Sequence, residues 1–176
     1  MTRTLIIYST TDGHTLKISQ TLVEHLTQAL QDVTLMPIEE VSSATLQAFD
    51  CIVIGASIRY GKHQAVVADL IKANKALLES KQTVFYTVNL VARKSEKNQP
   101  DTNPYIIKFL QELAWQPSLQ GVFAGRLNYP KYGLIDRHMI RFIMWMTKGP
   151  TDLNSDTEFT DWQSVKNFAN AIHELV

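Results

Sequence analysis

Short apolar runs alternate with stretches of helical period along the whole chain, and this alternation limits the possible folds more than any other feature. Leu5-Ile6-Ile7-Tyr8 is a continuous apolar run of the kind buried on both faces of a sheet. From Thr15 the period changes, and Leu16, Ile18, Leu22, Val23, Leu26 and Leu30 mark one broad helical stripe. A second strand is expected over 33–36, stopping at Pro37, and a third over 51–54, ending at Gly55. A helix over 64–78 follows, with Val66, Val67, Leu70, Ile71 and Leu78 on its buried side. Residues 83–88, rich in β-branched and aromatic types, read as the fourth strand. Thr102-Asn103-Pro104 opens a helix to about residue 114, with a polar cap and a proline at its first position. Residues 119–124 form the fifth strand. The last helix opens at Thr160, with Gln163 three residues on as in a capping box, and continues through Val165, Phe168, Ala169, Ile172 and Leu175.

Strands and helices in this order build βαβ units, right-handed crossovers and a parallel sheet covered on both faces. The expected architecture is a single α/β domain with a doubly wound five-stranded sheet of order 2-1-3-4-5. One segment, 126–159, is too long for an ordinary strand-to-helix connection and reads as an insertion. The 17 basic and 17 acidic residues cancel, so no global field points to nucleic acid. A single cysteine, Cys51, excludes an internal disulfide framework and is expected to be an inert buried thiol in a reducing compartment. Met1-Thr2-Arg3-Thr4 runs straight into an apolar strand without the features of a signal peptide, and no apolar run is long enough to span a bilayer. The expected location is the cytoplasm.

Ligands of such a sheet sit outside the carboxyl ends of the strands, where strand order reverses. The loop there reads Ser9-Thr10-Thr11-Asp12-Gly13-His14-Thr15. Hydroxyls, backbone N–H groups and the positive end of the next helix suit a phosphate, and Gly13 permits a close approach or a positive φ. Both Gly-x-x-x-x-Gly-Lys and Gly-x-Gly-x-x-Gly are missing, against a nucleoside-triphosphate loop or a dinucleotide fingerprint. An ordinary polar turn with a threonine cap is the competing reading. His14 is expected to contribute its backbone N–H and leave its side chain in solvent, and Asp12 to brace the turn.

The loop resembles the flavodoxin phosphate loop, Ser/Thr-x-Thr-Gly-x-Thr, with Asp12 as a departure. Two further segments carry a closer resemblance: Gly55-Ala56-Ser57-Ile58-Arg59-Tyr60-Gly61 after strand three and Val88-Asn89-Leu90-Val91-Ala92-Arg93-Lys94 after strand four. With the late insertion and Tyr129-Pro130-Lys131-Tyr132, the whole chain is similar to the quinone-dependent protoporphyrinogen IX dehydrogenase family, flavodoxin-like enzymes of bacterial haem synthesis. The resemblance implies FMN as cofactor, protoporphyrinogen IX as substrate, and menaquinone or ubiquinone as acceptor. It also implies peripheral association with the inner face of the cell membrane. Ser57, Ile58, Asn89 and Leu90 are then expected to meet the flavin ring through their backbones. Tyr60 either stacks on the ring or packs on its own loop. Arg59 either favours the reduced flavin or pairs with a carboxylate. The chemistry belongs to the flavin. His63 and His138 are acid–base candidates by type only, and no catalytic side chain and no metal ligand is assigned. A flavodoxin-type electron carrier and an NAD(P)H:quinone reductase on the same fold are the alternatives, together with a non-catalytic docking module.

The insertion has a local bias that the total charge hides. Over 126–148, Arg126, Lys131, Arg137, Arg141 and Lys148 stand against Asp136 alone, and 134–146 reads as a helix that is otherwise mostly large and apolar. Arg93, Lys94 and Lys97 form a second basic cluster expected at the same sheet edge. Three readings stay open for the helix: a cover for the sheet edge or a contact between copies of the chain, an interfacial helix at an anionic membrane surface, and a wall for an apolar anionic substrate. Tyr129, Tyr132 and Trp145 suit a membrane boundary.

Overall fold

A computed structural model describes residues 2–29 and 32–176, so Leu30 of the expected first helix lies outside the described residues. The sheet runs β2-β1-β3-β5-β6, built from Arg3–Ser9 (β1), Asp32–Pro37 (β2), Cys51–Arg59 (β3), Gln82–Asn89 (β5) and Leu119–Ala124 (β6). Every pair along it is parallel. This is the expected order 2-1-3-4-5, with a two-residue strand, Lys62–His63 (β4), added antiparallel to the end of β3.

Successive residues of a strand point to opposite faces, and the core divides accordingly. Leu5 and Ile7, Ile52 and Ile54, and Phe85 pack against the side that carries Val67, Ile71, Leu78, Ile106 and Leu113. Those five belong to the helices Ala65–Ala73 (α3), Lys75–Glu79 (α4) and Pro104–Leu113 (α5). Ile6, Val53, Val84 and Tyr86 face His14–Gln28 (α1) and Trp162–Leu175 (α7), where Ile18, Leu22, Leu26, Val165 and Ile172 are buried. Burial on both faces explains why the strands read as unbroken apolar runs.

The structure corrects several expected boundaries. β3 does not stop at Gly55 but continues to Arg59, because Ile58 and Arg59 find new partners in His63 and Lys62. The helix expected over 64–78 is broken at Asn74, whose Nδ2 donates to Leu70 O at 2.9 Å and whose Oδ1 accepts from Ser43 Oγ at 2.5 Å. Ser43 opens a short helix, Ser43–Gln47 (α2), not expected from periodicity. The cap of α7 is Asp161 rather than Thr160, since the Asp161 carboxylate accepts from the N–H groups of Gln163 and Ser164. The capping box belongs instead to α2, between Ser42 and Thr45.

Insertion 126–159 folds on its own small core. Arg126–Asn128 (β7) pairs antiparallel with Asp156–Glu158 (β8), a 3-10 turn covers Tyr129–Lys131, and the helix Leu134–Met146 (α6) forms as expected. Leu127, Tyr129, Tyr132, Ile140 and Met144 are its buried residues. Tyr129 and Tyr132 are therefore not boundary aromatics; they fill the space between α6 and the ribbon.

In the main core, Gly55 lies directly opposite Tyr86 on β5, and a Cβ at Gly55 would overlap the Tyr86 phenol ring. The Tyr86 hydroxyl is buried and donates to Ser19 Oγ at 2.6 Å, while Ser19 donates to Thr15 O at 2.9 Å. With both partners fixed, Gly55→Ala should cost about 1–3 kcal/mol by overpacking, read as a lower midpoint in denaturant unfolding.

Candidate functional site

A cavity of about 290 Å³ opens outside the carboxyl ends of β1, β3 and β5. Its first wall is the loop between β1 and α1. Gly13 takes φ +85 and its N–H donates to Thr10 Oγ1 at 2.9 Å, which closes the turn. No side chain caps α1, so the N–H groups of its first turn have no intrahelical acceptor and face the cavity end of the loop. Thr15 Oγ1 is buried there without a hydrogen-bond partner.

The second wall is the hairpin of β3 and β4. Tyr60 (φ 52) and Gly61 (φ 77) form its two-residue turn, both in the left-handed region that such a tight connection requires. Ser57 Oγ, behind the hairpin, is the second buried orphan on the cavity wall. The third wall follows β5. Asn89 turns its side chain inward: Oδ1 accepts from Ala92 N at 3.0 Å and from Asn103 Nδ2 at 3.2 Å. What Val88, Asn89, Leu90 and Val91 present to the cavity is therefore largely backbone and aliphatic surface. The inner line of α6, Ile140, Ile143 and Met144, closes the fourth side with Tyr132.

Most of the residues expected around a flavin are thus brought to one cavity: Thr10, Thr11, Asp12, Gly13, His14 and Thr15; Ser57, Ile58, Arg59, Tyr60 and Gly61; and residues 88–91. Ser9 and Ala56 are not on its wall. Ser9 is buried with Oγ donating to Gln64 Oε1 at 2.6 Å, and Gln64 Nε2 in turn donates to Thr11 Oγ1 at 3.4 Å. Gln64, unnoticed in the sequence, braces the loop from beneath.

Two expectations for this loop are corrected. The His14 side chain is not in solvent: Thr160 Oγ1 donates to Ala124 O at 2.7 Å and therefore accepts from His14 Nε2 at 2.5 Å. Burial lowers the imidazole pKa, with the Glu158 carboxylate acting against it. Asp12 does not brace the turn. Its carboxylate points across the cavity mouth and accepts from Arg59 Nη2. For Arg59 the carboxylate-paired alternative holds, with Asp12 on one side and Asp136 on the other.

The expected basic residues separate into two groups. Arg93 is turned inward, not toward lipid or substrate: Nη1 donates to Leu90 O at 2.8 Å and Nη2 to Thr147 O at 2.8 Å. It staples the third wall to the end of α6. Arg126 lines the cavity but is held in a bidentate pair by Asp156 at 2.7 and 2.6 Å. Lys94 is half-buried between two 3-10 turns. Lys131, which lines the cavity, and Arg141 are exposed, and Arg137 donates to Tyr132 O at 3.3 Å. Among the described residues Lys131, Arg137 and Arg141 form no ion pair within 4.0 Å, although the Lys131 charge adds to the Arg126 hydrogen bond in holding the Asp156 carboxyl below its usual range. Trp145 is exposed, its ring tilted against Phe142. Cys51 is buried, and burial pushes its thiol up to about 12, as an inert group.

The position of the cavity, the geometry of its first loop and the orphaned hydroxyls of Thr15 and Ser57 fit FMN. The wider relationships agree. A family model described as a flavodoxin domain matches residues 5–154. The chain is 40% identical over 173 residues to protoporphyrinogen IX dehydrogenase [quinone] of Escherichia coli (strain K12), covering 98% of this chain and 96% of that protein. It is 42% identical over 169 residues to the protein of the same name in Leishmania major, covering 94% and 72%. Among solved structures it is similar to oxidised Flavodoxin 2 from Bacillus cereus, with a TM-score of 0.58, 18% identity and 99% of each chain covered. A Streptococcus pneumonia TIGR4 flavodoxin matches with a TM-score of 0.55 and 11% identity, covering 98% and 99%.

The His63 side chain, on β4 of the hairpin, is not on the cavity wall but packs against Phe85 and Phe109, with Nε2 at 3.0 Å from Thr87 Oγ1. Burial pulls its pKa from 6.5 to about 4, so the folded protein holds it neutral while the unfolded chain takes up a proton first. This contribution to stability is complete above pH 6.5 and is lost as the pH falls toward 4, a loss of about 3 kcal/mol. Denaturant unfolding at pH 7.5 and 4.5 should show it, with a smaller difference between the two pH values in His63→Gln.

Proposed function

The chain belongs to the protoporphyrinogen IX dehydrogenase [quinone] family, on a flavodoxin domain, and from that premise we propose that it oxidises protoporphyrinogen IX to protoporphyrin IX with FMN as cofactor and a membrane quinone as acceptor. The observation that carries this reading is the cavity at the strand-order reversal, walled on one side by phosphate-loop hydroxyls and on the other by the apolar inner line of α6. When bound there, FMN supplies two-electron redox chemistry, and the six electrons separating porphyrinogen from porphyrin correspond to three rounds that reduce three quinones to quinols.

The chain's own residues bind and orient. The hydroxyls of Thr10, Thr11 and Thr15 and the first-turn N–H groups of α1 hold the phosphate, on a turn that Gly13 shapes and with no lysine in the loop. Backbone groups of Ser57, Ile58, Asn89 and Leu90 recognise the ring's polar edge, and the internal commitments of the Asn89 side chain keep that backbone fixed. Ile140, Ile143 and Met144 exclude water from the tetrapyrrole side. Lys131 and Arg141, in no ion pair within 4.0 Å among the described residues, match propionate groups on a broad apolar ring.

The same helix supports docking at an anionic bilayer on the cytoplasmic side, where the quinone is dissolved. Leu134, Ile135, Met139, Phe142, Trp145 and Met146 are between 48% and 80% exposed and share the arc of α6 opposite buried Ile140 and Met144. Arg141 flanks that arc, the arrangement of a helix lying in an interface. No helix among the described residues is long and apolar enough to cross a membrane.

Anaerobic mixing of the FMN-loaded protein with protoporphyrinogen IX and a quinone should produce porphyrin fluorescence that needs both protein and quinone. Flavin reduced by NADPH but not by the porphyrinogen would favour a general quinone reductase. Trp145→Asp combined with Arg141→Glu should sharply reduce co-sedimentation with anionic vesicles. Unchanged sedimentation, or loss of a dimer in place of loss of vesicle binding, would remove the membrane from this reading.

A further inference from the structure

One carboxylate connects the insertion to the hairpin of the cofactor cavity. Asp136, in the first turn of α6, accepts from the Tyr60 hydroxyl at Oδ1 and from Arg59 Nη1 at Oδ2, 3.4 Å away. Arg59 Nη2 donates onward to Asp12 Oδ2 in the loop between β1 and α1. The chain Asp136–Arg59–Asp12 crosses the cavity mouth and joins segments that are 77 and 47 residues apart in sequence. Arg59 is held laterally as well, with its guanidinium carbon 5.2 Å from the centre of the Tyr132 ring and its side chain only 17% exposed.

Tyr60 is the unusual member. It is a large aromatic residue at φ 52, a conformation that persists only where the surroundings impose it. The β4 pairing fixes its backbone, but at the side chain's far end the recorded hydrogen bond is the one to Asp136. We infer that Asp136 is a positioning residue for the flavin site: through Tyr60 and Arg59 it sets the hairpin tip over the cavity, so that the insertion completes the cofactor site. This inference rests on the FMN reading of the cavity. Its physical content is geometric and electrostatic. The carboxylate orients the Tyr60 ring by accepting its proton, and it draws Arg59 away from an exclusive pairing with Asp12. With Asp136 removed, the ring loses its tether and Arg59 collapses onto the phosphate loop.

The test is FMN affinity of the apoprotein, measured by quenching of flavin fluorescence, in the parent, Asp136→Asn, Tyr60→Phe and the double variant, with thermal unfolding of each apoprotein alongside. Asp136 is half-buried at the cavity mouth and asparagine is nearly its shape, so the fold should survive. Asp136→Asn should weaken FMN binding about tenfold, the worth of a charge-assisted hydrogen bond in affinity, with little change in the apoprotein's unfolding temperature. Tyr60→Phe should weaken binding less, and the double variant should be no weaker than Asp136→Asn alone, because the two side chains act through one contact. FMN affinity within twofold of the parent, additive effects, or a loss of unfolding temperature without a loss of affinity would each overturn the role of Asp136. A parent protein that takes up no FMN would instead overturn the reading of the cavity itself.

Discussion

β1 pairs in parallel with β2 on one side and β3 on the other, and the rest of the molecule follows from that placement. A central parallel strand must be covered on both faces, so the chain leaves its end toward α1 and later returns along the opposite layer. The reversal of direction leaves a gap above the carboxyl end of β1 that no backbone fills. Into that gap point the unpaired N–H groups of α1, and beside it β3 and β5 deliver their own ends. The cavity is thus a product of sheet order, and the residues around it modify a site that the topology had already opened.

The modifications are of a particular kind. Side chains around the cavity are largely engaged with one another: Ser9 with Gln64, Asn89 with Asn103, Arg93 with the end of α6, and Arg126 with Asp156. Backbone groups and two orphaned hydroxyls, on Thr15 and Ser57, are left to meet a ligand. A site built this way is rigid before anything enters it, which suits a cofactor whose electronic behaviour depends on fixed surroundings.

The strands were legible because burial on both faces writes itself as an unbroken apolar run, and α6 because its period is strong. Boundaries decided by single polar side chains were not. Asn74 breaks a helix whose apolar period continues through the break, and it does so with contacts to Leu70 and Ser43 that periodicity does not record. The extension of β3 was hidden because Tyr60-Gly61 lacks the Asn-Gly or Asp-Gly signal of a tight hairpin. Among site residues, the glycine and hydroxyl pattern from Thr10 to Thr15 was readable, since local backbone geometry demands those types. The directions of Arg93, Asp12 and His14 depend on partners far along the chain, Thr147, Arg59 and Thr160, which neither composition nor local spacing records.

Phe159 N donates to Gly125 O at 3.0 Å, and β7 zips to β8 immediately beyond, so the insertion enters and leaves the domain at neighbouring points. A segment with its own core and a closed neck leaves the pairing of the sheet beneath it undisturbed. It is a cassette: it leaves the strand order of the sheet untouched, and the side chains that reach across to it include Lys17, Arg59, Tyr60, Leu90, Arg93 and Trp162. Specialisation of such a protein is then concentrated in one segment that closes the cavity from above, while the strand order beneath it stays the same.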